Sequence, residues 1–205
     1  MKKLIFSLVF MSVILSGCSV KNMYRIENTE YNVASIGFER GENSFSALFE
    51  VIIINNDDAD SDLKRAVIKG EGETLDEAVS AVRLKTAQPL LLSHTAIIVL
   101  SDGITKADFN EIYNYCLTER DISVAVGFVT AKSAEELLGL EPISSVSIGY
   151  TLADMLKTGY LETKYPYKNR LYESFKRNKE GFWKLPYFEV KDSEYYLNGT
   201  KNQII

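Results

Sequence analysis

The chain is poor in the residues that build metal and nucleophilic sites. Of its 205 residues one is histidine and two are cysteine. A single histidine, His94, excludes a His-rich zinc site, and His94 with Cys116 supplies too few soft ligands for one. A Cys–His nucleophilic pair needs the two groups at hydrogen-bond distance, and Cys116 falls on the apolar stripe of an expected helix, where a thiol acts as a small hydrophobe. No Gly-rich phosphate loop and no Gly-x-Ser-x-Gly elbow occurs. The paired acids Asp76-Glu77 and Glu135-Glu136 stand at expected helix starts, where capping and the helix dipole account for them. There is no basic patch of the kind that binds nucleic acid: the formal charge is −5, with 23 basic and 28 acidic residues. These absences predict a protein that is not an enzyme and holds neither metal nor cofactor.

What is present begins with Leu15-Ser16-Gly17-Cys18. Lys2 and Lys3 precede an apolar run from Leu4 to Leu15, the pattern of a signal peptide. The run is well short of the ~20 apolar residues that cross a bilayer. Small residues followed by cysteine predict cleavage between Gly17 and Cys18, with a diacylglyceryl group on the Cys18 sulfur. Two acyl chains anchor far better than one. Removing residues 1–17 leaves 21 basic against 28 acidic residues, a charge of −7. Charge alone does not hold such a domain to anionic lipid, so the anchor is expected to be the lipid. With Cys18 lipidated, Cys116 has no disulfide partner within the chain.

The remainder is ordinary globular material, 46% apolar and 25% charged. Residues 18–30 are expected to be a polar tether. Ala34, Ile36 and Phe38 alternate with Ser35, Gly37 and Glu39, a half-buried strand; Phe45 to Ile54 forms a second, apolar on both faces near its end and so central in a sheet. Asp58, Asp60 and Asp62 have the spacing that opens a calcium loop, but Leu63 and Lys69 stand where Gly and Glu are needed, so the stretch reads as a solvated loop. Ala66 to Ile68 is a short strand. Capping signatures at Thr74/Glu77, Thr105/Asp108 and Ser133/Glu136 start three helices, with strands at Ile97–Val99 and Val124–Val129 between them. Pro142 marks a change. Beyond it come a helix ending near Gly159, a helix over Leu171, Tyr172 and Phe175, an extended stretch from Phe182 to Val190, and a hairpin signal at Asn198-Gly199.

The expected fold is therefore α+β: a mixed β-sheet with packed helices over residues 31–141, followed over 142–205 by a helical segment and the start of an incomplete second α+β unit.

In their order, several short segments resemble the C-subunit lipoproteins of spore-germination receptors, the Ger(x)C group. They are Asn32-Val33-Ala34-Ser35-Ile36-Gly37-Phe38, Gly72-Glu73-Thr74 with Glu77-Ala78, Leu92-Ser93-His94 before Ala96-Ile97-Ile98-Val99, Arg120-Asp121, and Val129-Thr130-Ala131-Lys132 before Leu137-Leu138. Leu171-Tyr172-Glu173-Ser174-Phe175 and Leu185-Pro186 follow in order. The likeness departs from the group at Ser19, where it often has Trp, and at Ser93, where it has Gly before the His. It covers the N-terminal portion of typical members, which run on through further domains. The resemblance implies a non-catalytic receptor subunit on the outer face of the cell membrane or the inner spore membrane, assembled with polytopic A and B subunits. His94, Arg120 and Asp121 are then read as structural or partner-contact residues. The alternatives are a free solute-binding surface lipoprotein and a truncated, non-functional relative.

Overall fold

A computed structural model describes residues 29–55, 63–143, 145–163, 170–171 and 182–204. Strands β1 (Thr29–Arg40) and β2 (Phe45–Asn55) form an antiparallel hairpin, and β3 (Lys64–Gly72) pairs antiparallel with β2 on its far side. Helix α1 (Leu75–Arg83) leads to the two-residue strand β4 (Leu90–Leu91), a 3-10 turn over Leu92–His94, and β5 (Ile97–Ser101). Helix α2 (Lys106–Thr118), strand β6 (Gly127–Ala131), helix α3 (Ala134–Gly139) and helix α4 (Ile148–Thr163) come next, and then the hairpin β7 (Phe182–Lys191) and β8 (Glu194–Ile204). These strands make one mixed sheet in the order β3-β2-β1-β5-β6-β7-β8, with β4 also paired to β1. β1, β5, β6 and β7 run parallel to one another, and the outer pairs are antiparallel.

The sheet is buried on both faces because its central strands are apolar on both. In β5, Ile98 and Leu100 join the layer containing Leu75, Val79, Val82, Phe109, Ile112 and Cys116, which is the core under α1 and α2. Ile97 and Val99 join Leu137, Leu138, Ile148 and Leu152, the core under α3 and α4. Aromatic edges fill the first layer, with Phe109 and Phe128 centroids 5.8 Å apart and Phe38 and Tyr115 6.2 Å apart. Side-chain alternation with period two distributes each strand between the layers.

β1 departs from that simple alternation. A register shift between Val33 and Ser35 inserts one extra residue, so Val33, not Ala34, shares the α1/α2 face with Ile36 and Phe38. The opposite face of β1 was expected to be solvated; instead Ser35 is fully buried, and a Cβ on Gly37 would meet the Leu138 side chain at 2.9 Å. Thr29 and Glu30, expected in the tether, pair with Asn55 and Ile54.

Local signals set most helix starts. Thr74 accepts from the Glu77 amide while the Glu77 carboxylate accepts from the Thr74 amide, and Thr105 and Asp108 repeat the arrangement. At α3 only half of the expected box forms. Ser133 Oγ accepts from the Glu136 amide at 3.0 Å, but it donates to Glu39 of β1 at 2.6 Å, and the same Glu39 oxygen accepts from the Glu135 amide. α4 continues through Gly159 to Thr163, because an interior glycine weakens a helix by only about 1 kcal/mol and does not stop it. Val124 lies outside β6 and is 60% exposed, since Ser123 turns the chain by accepting from the Val126 and Ala125 amides. Leu117, expected on the buried stripe of α2, is 46% exposed.

The C-terminal hairpin turns at Asp192-Ser193, both at positive φ, as a two-residue turn between right-twisted strands requires. Asn198-Gly199, expected as the turn, lies inside β8, where a register shift opposite Tyr187 and a φ of 69° at Gly199 mark a bulge. Instead of opening a second unit, this hairpin extends the same sheet, with Thr130 opposite Tyr187 and Ala131 opposite Phe188. Leu171 is buried; the rest of the helix expected there, and Asp58, Asp60 and Asp62, lie outside the described residues.

Candidate functional site

The described charge most deeply placed in the fold is Glu50, the only charged residue of β2. It points into the α3/α4 layer, opposite in alternation to Phe49 and Val51. Its Oε1 accepts from Arg65 Nε of β3 at 2.6 Å and from the Ile148 amide at 2.6 Å. Its Oε2 accepts from Ser35 Oγ of β1 at 2.7 Å and from the Gly149 amide at 2.9 Å. Each oxygen thus takes two donors.

Ile148 and Gly149 are the first two residues of α4. A helix leaves its first amides without intrahelical partners, and its positive dipole end favours an anion. Here two of those amides point at the Glu50 carboxylate, the Tyr150 amide donates to Ser147 Oγ at 3.0 Å, and the Thr151 amide opens the helical ladder on the Ser147 carbonyl. The helix end is fully partnered although it is buried against the sheet.

Glycine permits this approach. A Cβ at position 149 would lie 2.7 Å from the Ala34 carbonyl oxygen and 2.7 Å from Ser35 Cβ. Arg65 in turn donates through Nη2 to the Leu138 carbonyl of α3. Glu50 therefore joins β1, β2, β3, α3 and α4. Four donors engage its two oxygens, and it serves as a clamp between these elements.

Cys116 is similarly withdrawn from chemistry. Its side chain is buried in α2, and burial pushes the thiol up to about 12 from its ordinary value near 9. The thiolate, which is the nucleophile, is suppressed.

The residues singled out in the sequence fall in two places. Gly17 and Cys18 lie outside the described residues. His94, Arg120 and Asp121 all lie at the end of the sheet where β5 and β6 begin: His94 closes the 3-10 turn before β5, and Arg120 and Asp121 sit in the loop from α2 to β6. All three are exposed. His94 and Asp121 make no hydrogen bond to each other. Asp121 lines a groove of about 430 Å³ with Arg83, Gln88, Leu90, Leu92 and Glu119, which an Arg83–Glu119 ion pair of 2.6 Å crosses. The neighbours of His94, Ser93 and Thr95, line a smaller hollow of about 260 Å³ with Ser123, Lys157 and Arg170.

Sequence reasoning missed Glu50, Arg65 and Gly149. The available signal was a lone carboxylate inside a strand apolar on both faces, since a charge there must be paired.

Among the described residues, no helix is long and apolar enough to cross a membrane. No curated protein and no solved structure matches the chain. The family model described as the spore germination protein N-terminal domain matches residues 25–183, which take in strands β1 to β6, the first two residues of β7, both helix layers and the Glu50 clamp; the chain belongs to that spore-germination family.

Proposed function

We propose that the chain is a membrane-anchored, non-catalytic C subunit of a spore germinant receptor, held to the bilayer by lipid on Cys18 and acting through assembly with polytopic A and B subunits. The family match over residues 25–183 carries the germination part of this reading. The order Leu15-Ser16-Gly17-Cys18 behind a short apolar run supports the anchor. The described interior supports a binding role over a catalytic one, because Glu50 is engaged by four donors and Cys116 is buried with its thiolate suppressed. The exposed residues His94, Arg120 and Asp121 are surface groups available to a partner.

Two measurements test the reading. Cys18→Ala should move the protein from the membrane to the soluble fraction of spores and abolish its contribution to germination; a variant that stays with the membrane and keeps its function refutes the anchor. Affinity capture from detergent-solubilised spore membranes should recover polytopic subunits. Capture without any such partner, together with tight binding of an amino acid or sugar by the isolated protein, would establish the solute-binding alternative.

A further inference from the structure

Asn198-Gly199 is the only Asn-Gly pair in the chain, and the fold does not use it as a turn. Asp192-Ser193 turns the last hairpin. In β8, Leu197 pairs with Phe188 and Thr200 with Pro186, so Asn198 and Gly199 together face the single residue Tyr187. Two residues opposite one make a bulge, where the regular ladder is interrupted. β8 is also the last strand in the sheet order.

The pair is open to solvent. Asn198, Gly199 and Glu189 are all exposed. Gly199 has a φ of 69°, and nothing lies within 4 Å of where a Cβ would stand. The Asn198 side chain is held by Glu189 of β7: Nδ2 donates to Glu189 Oε2 at 2.7 Å. Glu189 pairs in register with Tyr196, two residues before Asn198, so the two groups are diagonal neighbours on the face away from Phe188 and Tyr195.

Asparagine is among the chemically labile side chains. Its Cγ is within five-membered-ring reach of the next backbone nitrogen, and a glycine at that next position has no Cβ to obstruct the approach.

We propose that Asn198 is a site of spontaneous deamidation, restrained by Glu189, and that the reaction loosens the last hairpin irreversibly. A solvent base takes the Gly199 N–H proton, and the nitrogen's electron pair forms a bond to Asn198 Cγ. The Cγ–Nδ2 bond breaks, and the departing nitrogen takes up a proton and leaves as ammonia. Water then opens the succinimide. Cleavage between Gly199 N and Cγ gives aspartate at 198. Cleavage between Gly199 N and the main-chain carbonyl carbon of residue 198 gives isoaspartate, with the main chain running through Cβ and Cγ. One water is consumed, one ammonia is released, and nothing is oxidised or reduced.

Glu189 acts on both sides of the step. Beforehand its bond fixes the Asn198 amide and must break before Cγ swings to the Gly199 nitrogen. Afterwards Glu189 faces a second carboxylate in place of a donor, and neighbouring like charges destabilise a strand pair. Isoaspartate further lengthens the main chain of β8 where its register is already shifted.

The test follows the full protein at pH 8 by peptide mass mapping over weeks. Deamidation at Asn198 should run severalfold ahead of Asn43, which is also exposed but precedes Ser44. Glu189→Ala, a change at an exposed position, should speed it severalfold again. Asn198 that reacts no faster than Asn43 overturns the proposal, and equal rates in the parent and Glu189→Ala overturn the restraint. Asn198→Asp carries the product charge without the reaction. It should raise amide hydrogen exchange severalfold across β8 and leave β5 unchanged; exchange in β8 that matches the parent overturns the loosening. None of these readouts depends on the lipid or on a partner.

Discussion

The Arg65 guanidinium lies 2.6 Å from the Glu50 carboxylate, with the Glu50 side chain wholly buried and that of Arg65 17% exposed. The pair differs from a surface salt bridge, which is worth little, because the same carboxylate also receives Ser35 and the two leading amides of α4. Glu50→Ala removes the acceptor for four donors at once and leaves the α4 terminus and a partly buried guanidinium uncompensated. A loss of about 3–5 kcal/mol follows, a large share of the roughly 5–15 kcal/mol that holds a domain together. Urea denaturation should show it as a lower midpoint, with Glu50→Gln intermediate. An Ala variant within 1 kcal/mol of the parent would show that the clamp contributes little.

Gly149 should be intolerant where Gly139 is not. The Cβ of Gly149→Ala meets backbone, the Ala34 carbonyl at 2.7 Å, so either β1 or the start of α4 must shift and the amide contact to Glu50 lengthens. Overpacking of this kind costs about 1–3 kcal/mol, several degrees in Tm for a chain of this size. Gly139 closes α3 with nothing within 4 Å of an added Cβ and without positive φ. Gly139→Ala should leave the protein unchanged or stabilise it by about 0.4–1 kcal/mol through the unfolded chain. Equal melting temperatures for the two variants would contradict the close approach of α4 to β1.

Glu39 and Ser133 offer a cleaner dissection, because 94 residues separate them and one hydrogen bond of 2.6 Å joins them. Glu39 also takes the Glu135 amide, so it acts as a cap for α3 supplied by β1. Each single change to Ala should cost about 1 kcal/mol, the usual value of a helix cap. In a double-mutant cycle the two should couple by about 0.5 kcal/mol or more. Strict additivity would mean that Glu39 and Ser133 act independently at this helix end.

These three sites mark where the sequence stops being readable. The boxes at Thr74/Glu77 and Thr105/Asp108 are legible because donor and acceptor lie within one turn, and the buried stripe Leu75, Ala78, Val79, Val82 follows from helical period alone. The box at Ser133/Glu136 was half legible, because its second partner came from a distant strand. The two-sided burial of β1 was illegible for a related reason: Ser35, Gly37 and Glu39 look like a solvated face until Glu50, α3 and α4 supply their partners. Val124 shows the converse error. It keeps period two with Val126 and Phe128, yet Ser123 turns the backbone first, and hydrophobic spacing carries no information about that turn. Membership of β7 and β8 in the one sheet depends on pairing with β6, again a non-local fact. The placement of His94, Arg120 and Asp121 at a common end follows from parallel pairing of β5 and β6, whereas a direct bond between His94 and Asp121 does not form.

The thiol of Cys116 makes stability fall in alkali. In the folded protein burial raises it to about 12 from near 9; burial also raises Tyr113 and Tyr115 above the ordinary phenol range. Below pH 9 the thiol is protonated in both states and contributes no pH dependence. Above 9 the unfolded chain releases a proton that the folded one retains, so the unfolded state binds fewer protons and folding stability declines as pH rises. The slope from the thiol alone is about 1.4 kcal/mol per pH unit between 9 and 12, and the tyrosines add to it above their ordinary value. Thermal melts of a Cys18→Ala protein should therefore show Tm constant near neutrality and falling from pH 9 upward, with a shallower fall when Cys116→Ala is added. At pH 8 a thiol reagent such as DTNB should label Cys116 in urea and leave it unlabelled in the native protein. Rapid native labelling, or a Tm that holds flat to pH 11 in the cysteine-containing protein, would place the thiol at the surface and remove it from the core of α2.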